Sequence, residues 1–121
     1  MKNLAVWFEI PVKDLKRAVG FYSKVLNVNL QLMDMGNEKF AMFPFEPGVT
    51  SGALVESAER TPSRTGTLIY LDGGDDLSVP LKRVSPAGGK VLREKTSIGS
   101  NGFMAVFEDV EGNQDAFRSM K

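Results

Sequence analysis

The segment from Trp7 to Leu26 constrains the fold more than any other part of this chain. Residues Leu4 to Val12 are nearly all apolar, β-branched or aromatic, which predicts a strand that finishes at Pro11 because proline cannot donate to a sheet ladder. Asp14 is then suited to cap a helix. An apolar stripe at helical spacing follows, formed by Leu15, Ala18, Val19, Tyr22, Val25 and Leu26. The pattern indicates a helix that packs one face against a sheet.

Three further strands are predicted in the first half of the chain. Residues 28–35 alternate apolar and polar side chains, which is typical of a half-buried strand. Gly36-Asn37 favours a tight turn into a second strand at 38–43, because both residues tolerate left-handed backbone conformations. Residues 51–56 form the third strand, and 57–64 are predicted to be an exposed linker.

The second half repeats this plan. A strand over 65–71 precedes a helix over 77–84, in which Pro80 predicts either a late start or a kink. Gly88-Gly89 is suited to end that helix as a left-handed cap. Three more strands are predicted, over residues 90–94, 102–108 and 114–119.

Three motifs resemble those of one superfamily. Asp14-Leu-x-x-Ala-x-x-Phe-Tyr is similar to the opening of the glyoxalase, bleomycin-resistance and extradiol-dioxygenase proteins, often called vicinal oxygen chelate proteins. Residues 107–113, Phe-Glu-Asp-Val-Glu-Gly-Asn, resemble their closing turn, and 87–91, Ala-Gly-Gly-Lys-Val, resemble the exit from their second helix. The resemblance implies an α+β fold in which two βαβββ modules form a curved, mostly antiparallel sheet cup. We expect one domain over 1–121, with module one at about 1–57 and module two at about 65–121.

Composition excludes several classes of function. Basic and acidic residues number 15 each and are scattered, so the basic surface of a nucleic-acid binder is missing. No apolar run approaches the roughly 18 residues of a membrane-spanning helix, and the first 12 residues lack the pattern of a signal peptide. We therefore expect a cytoplasmic protein that binds neither nucleic acid nor membranes.

The chain contains no histidine and no cysteine. Imidazole bases, Ser-His-Asp triads, zinc-thiolate sites and two-histidine-one-carboxylate iron sites are therefore excluded. In the superfamily, one position on each of the first, fourth, fifth and last strands commonly binds a divalent metal. The matching residues here are Trp7, Glu56, Thr67 and Ala116. Because only Glu56 is a metal-ligating residue type, we predict no metal and no cofactor at this site.

The period of two along a strand predicts what fills the cup instead. If position 7 faces inward, then Glu9 does too, and if position 116 does, then so do Gln114 and Arg118. The predicted substrate-binding residues are Trp7, Glu9, Thr67, Ile69, Gln114 and Arg118, with Glu56 on the fourth strand. This mixture of polar groups on apolar walls is typical of a small-molecule pocket.

Each of these side chains also has a purely structural interpretation. Trp7 can serve packing rather than ligand stacking, and Glu9 can be solvated or ion-paired. Arg118 can pair with Glu9 or with Glu56, and Glu56 can be exposed at its strand end. Asp115 shares its parity with Phe117, a core position, so either the strand frays there or the register is wrong.

Three hypotheses follow for function. The first is a metal-independent protein that binds a small polar organic molecule through Glu9, Gln114 and Arg118 against Trp7. The second is a metal-independent lyase or isomerase that uses Glu9 or Glu56 as a general base. The third is a degenerate module that acts through protein contacts. The resemblance also implies a homodimer, because relatives commonly pair the modules of two chains.

Overall fold

Each half of the chain forms its own four-stranded sheet in the computed structural model, which describes residues 3–121. The first module contains β1 (Trp7–Val12), α1 (Leu15–Leu26), β2 (Gln31–Asp34), β3 (Lys39–Met42) and β4 (Ser51–Glu56). Its strands are ordered β1-β4-β3-β2, with β1 parallel to β4 and the other pairs antiparallel.

The second module has the same plan. It contains β5 (Ile69–Asp72), α2 (Ser78–Val84), β6 (Lys90–Ser97), a 3-10 turn (Gly99–Asn101), β7 (Phe103–Glu108) and β8 (Gln114–Ser119). The strand order is β5-β8-β7-β6, with only β5 and β8 parallel. The predicted α+β architecture of two βαβββ modules is confirmed, and the two sheets are open.

Three predicted strands begin later than the sequence pattern indicated. One of them is β2, which begins at Gln31 rather than at residue 28 and is exposed at all four positions, so the predicted half-buried strand there is wrong. β1 begins at Trp7, because its partner β4 begins opposite it at Ser51 and leaves the earlier residues without a ladder. Leu4 and Val6 are therefore 96% and 75% exposed. β5 begins at Ile69 and not at Thr65, since β8 offers its first partner at Asp115.

Local hydrogen bonds and the position of Pro80 explain where the two helices begin and end. Asp14 caps α1 through a 3.1 Å hydrogen bond from the Arg17 amide to its carboxylate. α2 begins at Ser78, so Pro80 lies in the first turn, where an amide has no partner within the helix. The predicted late start is confirmed. Gly88 follows with a φ of 104°, and the Gly89 amide donates to the Val84 carbonyl at 2.9 Å.

One hydrophobic core extends under both helices and joins the two modules. Ile10 and Val12 of β1 belong to it, as do Phe107 and Phe117, whose rings stack with centroids 4.7 Å apart. Because side chains alternate along a strand, Trp7 and Glu9 point away from this core. The opposite face of β1 is therefore free to line a site.

Candidate functional site

A cleft of about 500 Å³ lies between β1 of the first module and strands β5 and β8 of the second. Its walls include five of the predicted binding residues: Trp7, Glu9, Thr67, Ile69 and Gln114. A volume of this size is in the range of small-molecule pockets. The cleft is therefore the candidate functional site.

Trp7 and Glu9 are hydrogen-bonded to each other on the wall of the cleft that β1 forms. The indole Nε1 of Trp7 donates to Glu9 Oε2 at 3.3 Å, and the Trp7 ring meets Phe45 edge-on with centroids 6.2 Å apart. Glu9 Oε1 accepts from the guanidinium of Arg60 in an ion pair. Both carboxylate oxygens of Glu9 thus accept a hydrogen bond. Glu9 is ion-paired, as its structural interpretation predicted, and it also lines the cleft.

The linker between the modules supplies a wall that the sequence reasoning missed. Every second residue from 61 to 67 carries a hydroxyl group, and all four of them line the cleft: Thr61, Ser63, Thr65 and Thr67. Only Thr67 was predicted to do so. The segment up to residue 64 was expected to be an exposed linker, and these side chains are indeed exposed, but their position on the cleft was not predicted.

Three contacts hold that linker in place. Arg60 pairs with Glu9 on β1, and Arg64 Nε lies 3.2 Å from Glu108 Oε1 on β7. Between them, the Ser63 amide donates to Asn113 Oδ1 at 3.0 Å. The linker is therefore attached to both modules, and its hydroxyl-bearing edge is presented to the cleft.

Two predicted lining residues lie elsewhere. Glu56 pairs with Val12 and lies on the same face of the sheet as that core residue. Its Oε1 accepts a hydrogen bond from the Leu15 amide at 2.9 Å. It lines a separate apolar groove of about 610 Å³ between α1 and strands β2 and β3. Arg118 has the parity of Gln114 but lies at the far end of β8, where its Nε donates to the Asn101 carbonyl at 3.1 Å. The predicted placement of both residues in the cup is therefore wrong.

A buried polar cluster lies directly behind the cleft, on the core side of β8. The Tyr22 hydroxyl contacts Asp109 Oδ2 at 2.6 Å and also Asp115 Oδ2. Burial raises the pKa of Asp115 to about 7, and the nearby charge of Asp109 adds to this, against the lowering effect of the Tyr22 hydrogen bond. Asp115 is therefore a regular strand residue at a core position. Neither the fraying nor the register error considered for it is observed.

The turn between β7 and β8 connects the modules. Asp109 Oδ1 accepts from the Glu111 and Asn113 amides, each at 2.8 Å, which fixes the turn itself. Glu111 is buried and accepts from Arg17 Nε at 2.8 Å and from the Lys13 amide at the end of β1. The Asn113 side chain donates to the Pro11 carbonyl at 2.7 Å. This turn therefore satisfies polar groups at the point where the first module passes from β1 to α1.

The residues at the family's metal positions do not fit a divalent ion. Trp7, Thr67 and Ala116 offer no carboxylate, imidazole or thiolate, and the carboxylate of Glu56 is turned toward the start of α1. Among residues 3–121, no three His, Cys, Asp or Glu side chains are grouped so that they could hold a metal ion. We derive no chemical step through a metal.

The fold agrees with that of known proteins. The chain is similar to a mutant of glyoxalase I from Zea mays, with 24% identity and a TM-score of 0.75, over 94% of this chain and 46% of the maize chain. It thus spans about half of the maize protein. A glyoxylase/bleomycin resistance protein/dioxygenase domain from Frankia sp. matches over the full length of both chains, with 18% identity and a TM-score of 0.73.

A hypothetical protein from S. aureus matches over 95% of this chain and 96% of its own, with 25% identity and a TM-score of 0.69. No protein of curated function matches the chain. Within residues 3–121, none of the helices has the length and apolar character needed to cross a membrane. A family model described as Glyoxalase/Bleomycin resistance protein/Dioxygenase superfamily matches residues 5–117, and the chain therefore belongs to that superfamily.

Proposed function

We propose that this protein binds a small polar organic molecule in the cleft between its modules, without the divalent metal that relatives hold at the matching positions. The observation that carries the proposal is the convergence of Trp7, Glu9, Thr67, Ile69 and Gln114 on one cleft of about 500 Å³. These residues come from both modules, so the site depends on the assembled fold. Few polar groups on apolar walls are what such a pocket requires.

The binding role is favoured over the catalytic one by the state of Glu9. A general base must reach the proton that it removes, and it is most effective when its oxygens are free to accept that proton. Here Trp7 and Arg60 occupy the two oxygens of Glu9. Glu9 therefore organises the wall of the cleft better than it would accept a proton. Glu56, the other candidate base, contacts the start of α1 and has no part in the proposal.

A screen with two independent readouts tests the proposal. Trp7 is the only tryptophan and lies in the cleft, so its fluorescence reports on molecules bound there. A ligand at 100 times its dissociation constant should also stabilise the protein by about 2.7 kcal/mol, which raises the melting temperature. We expect at least one small polar metabolite or antibiotic to change both signals with the same dissociation constant. Failure of a chemically mixed library to change either signal would refute binding in the cleft.

A further inference from the structure

We propose that the ligand of this cleft is an uncharged, hydroxyl-bearing cyclic molecule of about monosaccharide size, selected by the linker of residues 57–68 and the start of β5. This inference rests on the proposed function and specifies its ligand class. It is carried by the charge balance, the free polar groups and the shape of the cleft.

The first argument is charge. No lysine or arginine lines the cleft among the described residues, so an anionic ligand would find no counter-charge in the lining. A cationic ligand would have to displace Arg60 from Glu9 to find a partner. The other acidic residue of the lining, Asp115, directs its carboxyl group to Tyr22 on the core side of β8. The cleft therefore presents no unpaired charge to a ligand.

The second argument is the set of free hydrogen-bonding groups. Within residues 3–121, the hydroxyls of Thr61 and Thr67 and the side-chain amide of Gln114 make no hydrogen bond. All three line the cleft, and none of these groups is buried, so they are open to solvent and to a ligand. The Ser63 and Thr65 hydroxyls bond to each other at 2.9 Å and each keeps further capacity. A hydroxyl both donates and accepts, as the hydroxyls of a polyol do. This edge of the cleft is therefore complementary to a ligand with several hydroxyl groups.

The third argument is the wall opposite the linker. Trp7 is 38% exposed, and its Nε1 is already bonded to Glu9, so the indole offers the cleft an apolar surface in a fixed orientation. Ile69 continues that apolar wall from the second module. A ring with one apolar face and hydroxyls at its edge fills such a site, because the face removes apolar surface from water while the edge keeps its hydrogen bonds.

Three methyl glycosides with the same pyranose ring, each charged one differing from the neutral one at a single substituent, test the inference. They are methyl β-D-glucopyranoside, the corresponding glucuronide and the corresponding 2-amino-2-deoxy glucoside, titrated against Trp7 fluorescence. We expect saturable binding of the neutral glycoside and at least about 5-fold weaker binding of both charged ones. Binding of the neutral compound should not change between about 50 and 500 mM salt, because no ion pair forms.

Thr67→Val removes one hydroxyl with little change of shape and should weaken the neutral glycoside by about 3- to 10-fold. Thr96→Val is the matched control, because that hydroxyl lies on β6 and bonds to the Glu94 carbonyl outside the cleft. If the two valine variants bind the neutral glycoside equally well, the linker and the start of β5 do not select the ligand. If either charged glycoside binds the unchanged protein as tightly as the neutral one, or more tightly, the charge argument is wrong.

The proposed ligand class and the proposed binding function can be refuted separately. If the neutral glycoside causes no saturable change up to about 50 mM, an affinity too weak for a specific site, the ligand class is wrong. The proposed function is refuted only if the mixed library also gives no cleft ligand. A charged hit from that library, with no response to the glycoside, would keep the function and reject the class.

Discussion

Tyr22 and Asp109 are joined by a 2.6 Å hydrogen bond that connects α1 of the first module to the turn before β8 of the second. A phenol carries one proton, and the same hydroxyl also contacts Asp115. With Asp109 accepting the proton of Tyr22, Asp115 must supply a proton to the phenol oxygen. The elevated pKa of Asp115, about 7, agrees with this arrangement. A single proton is therefore part of the contact between the modules.

We expect the free energy of unfolding to fall as the pH rises from about 4, the ordinary aspartate value, to about 7. In this range the folded protein keeps a proton on Asp115 that the unfolded chain releases. The contribution of this proton to the free energy of unfolding is therefore complete below about pH 4 and is lost as the pH rises to about 7. Urea denaturation at several pH values measures the slope. The groups that face Asp115 are Tyr22, whose pKa burial raises well above 10, and Asp109.

Asp115→Asn is the variant that isolates this effect, since an amide keeps the shape and stays neutral. Its stability should vary less with pH between 4 and 7 than that of the unchanged protein. Parallel pH profiles for the two proteins would show that Asp115 is not the group responsible.

Tyr22→Phe should destabilise the protein by about 1–3 kcal/mol, because it leaves two buried carboxyl groups without their shared partner. The loss should be larger at pH 8 than at pH 5, since Asp115 has released its proton at the higher pH. Tyr70→Phe is the control, because Tyr70 is 51% exposed. Comparable losses in the two variants, measured by chemical denaturation, would contradict a special role for the Tyr22 hydroxyl.

Glu9→Gln should weaken binding of a cleft ligand by about 1.5–3 kcal/mol, because the amide no longer holds Arg60 and the linker as an ion pair. Calorimetry on the first confirmed ligand provides the measurement. Glu59→Gln, a change at an exposed neighbour of Arg60, serves as control. Unchanged affinity with turnover reduced by about 10² to 10⁴ would instead identify Glu9 as a general base.

The protein should hold no stoichiometric transition metal after saturation with zinc, nickel or iron salts and desalting. The reason is the donor set, since Trp7, Thr67 and Ala116 occupy three of the four family positions. Elemental analysis decides the matter, and one bound metal per chain would disprove the expectation.

We expect a homodimer in solution. The cleft-side edge of the first module exposes several large apolar side chains, namely Leu4, Val6, Phe45 and Val49. The strands β2 and β6 each pair on one side only, at the sheet edges opposite β1 and β5, and a second copy would cover such surfaces. Light scattering at micromolar concentration should give twice the mass of the chain, and a monomer mass would rule the dimer out.

The sequence predicted the fold well because its signals are local. The bounds of β4 and β8 agree with the predicted 51–56 and 114–119, since a turn precedes each strand. The starts of β1 and β5 were wrong because the length of the partner strand decides where pairing begins. Periodicity finds an apolar stretch but does not identify its partner.

The site was predicted less completely for the same reason. Strand parity correctly placed Glu9 and Gln114 on the cleft, but parity alone does not say how far along a strand the cleft extends, which misplaced Arg118. Glu56 was assigned from a motif, but it pairs with Val12 and therefore shares the core-side face of that residue. Asp115 was recognised as unusual, yet its partner Tyr22 lies 93 residues away and was counted as apolar. Such long-range pairing has no local signature.

The linker between the modules has a consequence for how this chain tolerates insertions. Segments that join two modules usually accept extra residues at little cost. Here the side chains at 61, 63, 65 and 67 all face the cleft, and contacts at 60 and 64 fix that spacing from both sides. One added residue would turn the hydroxyl edge away from the cleft while leaving both sheets intact. Natural or engineered length variants of this segment would therefore fold normally yet differ in what they bind.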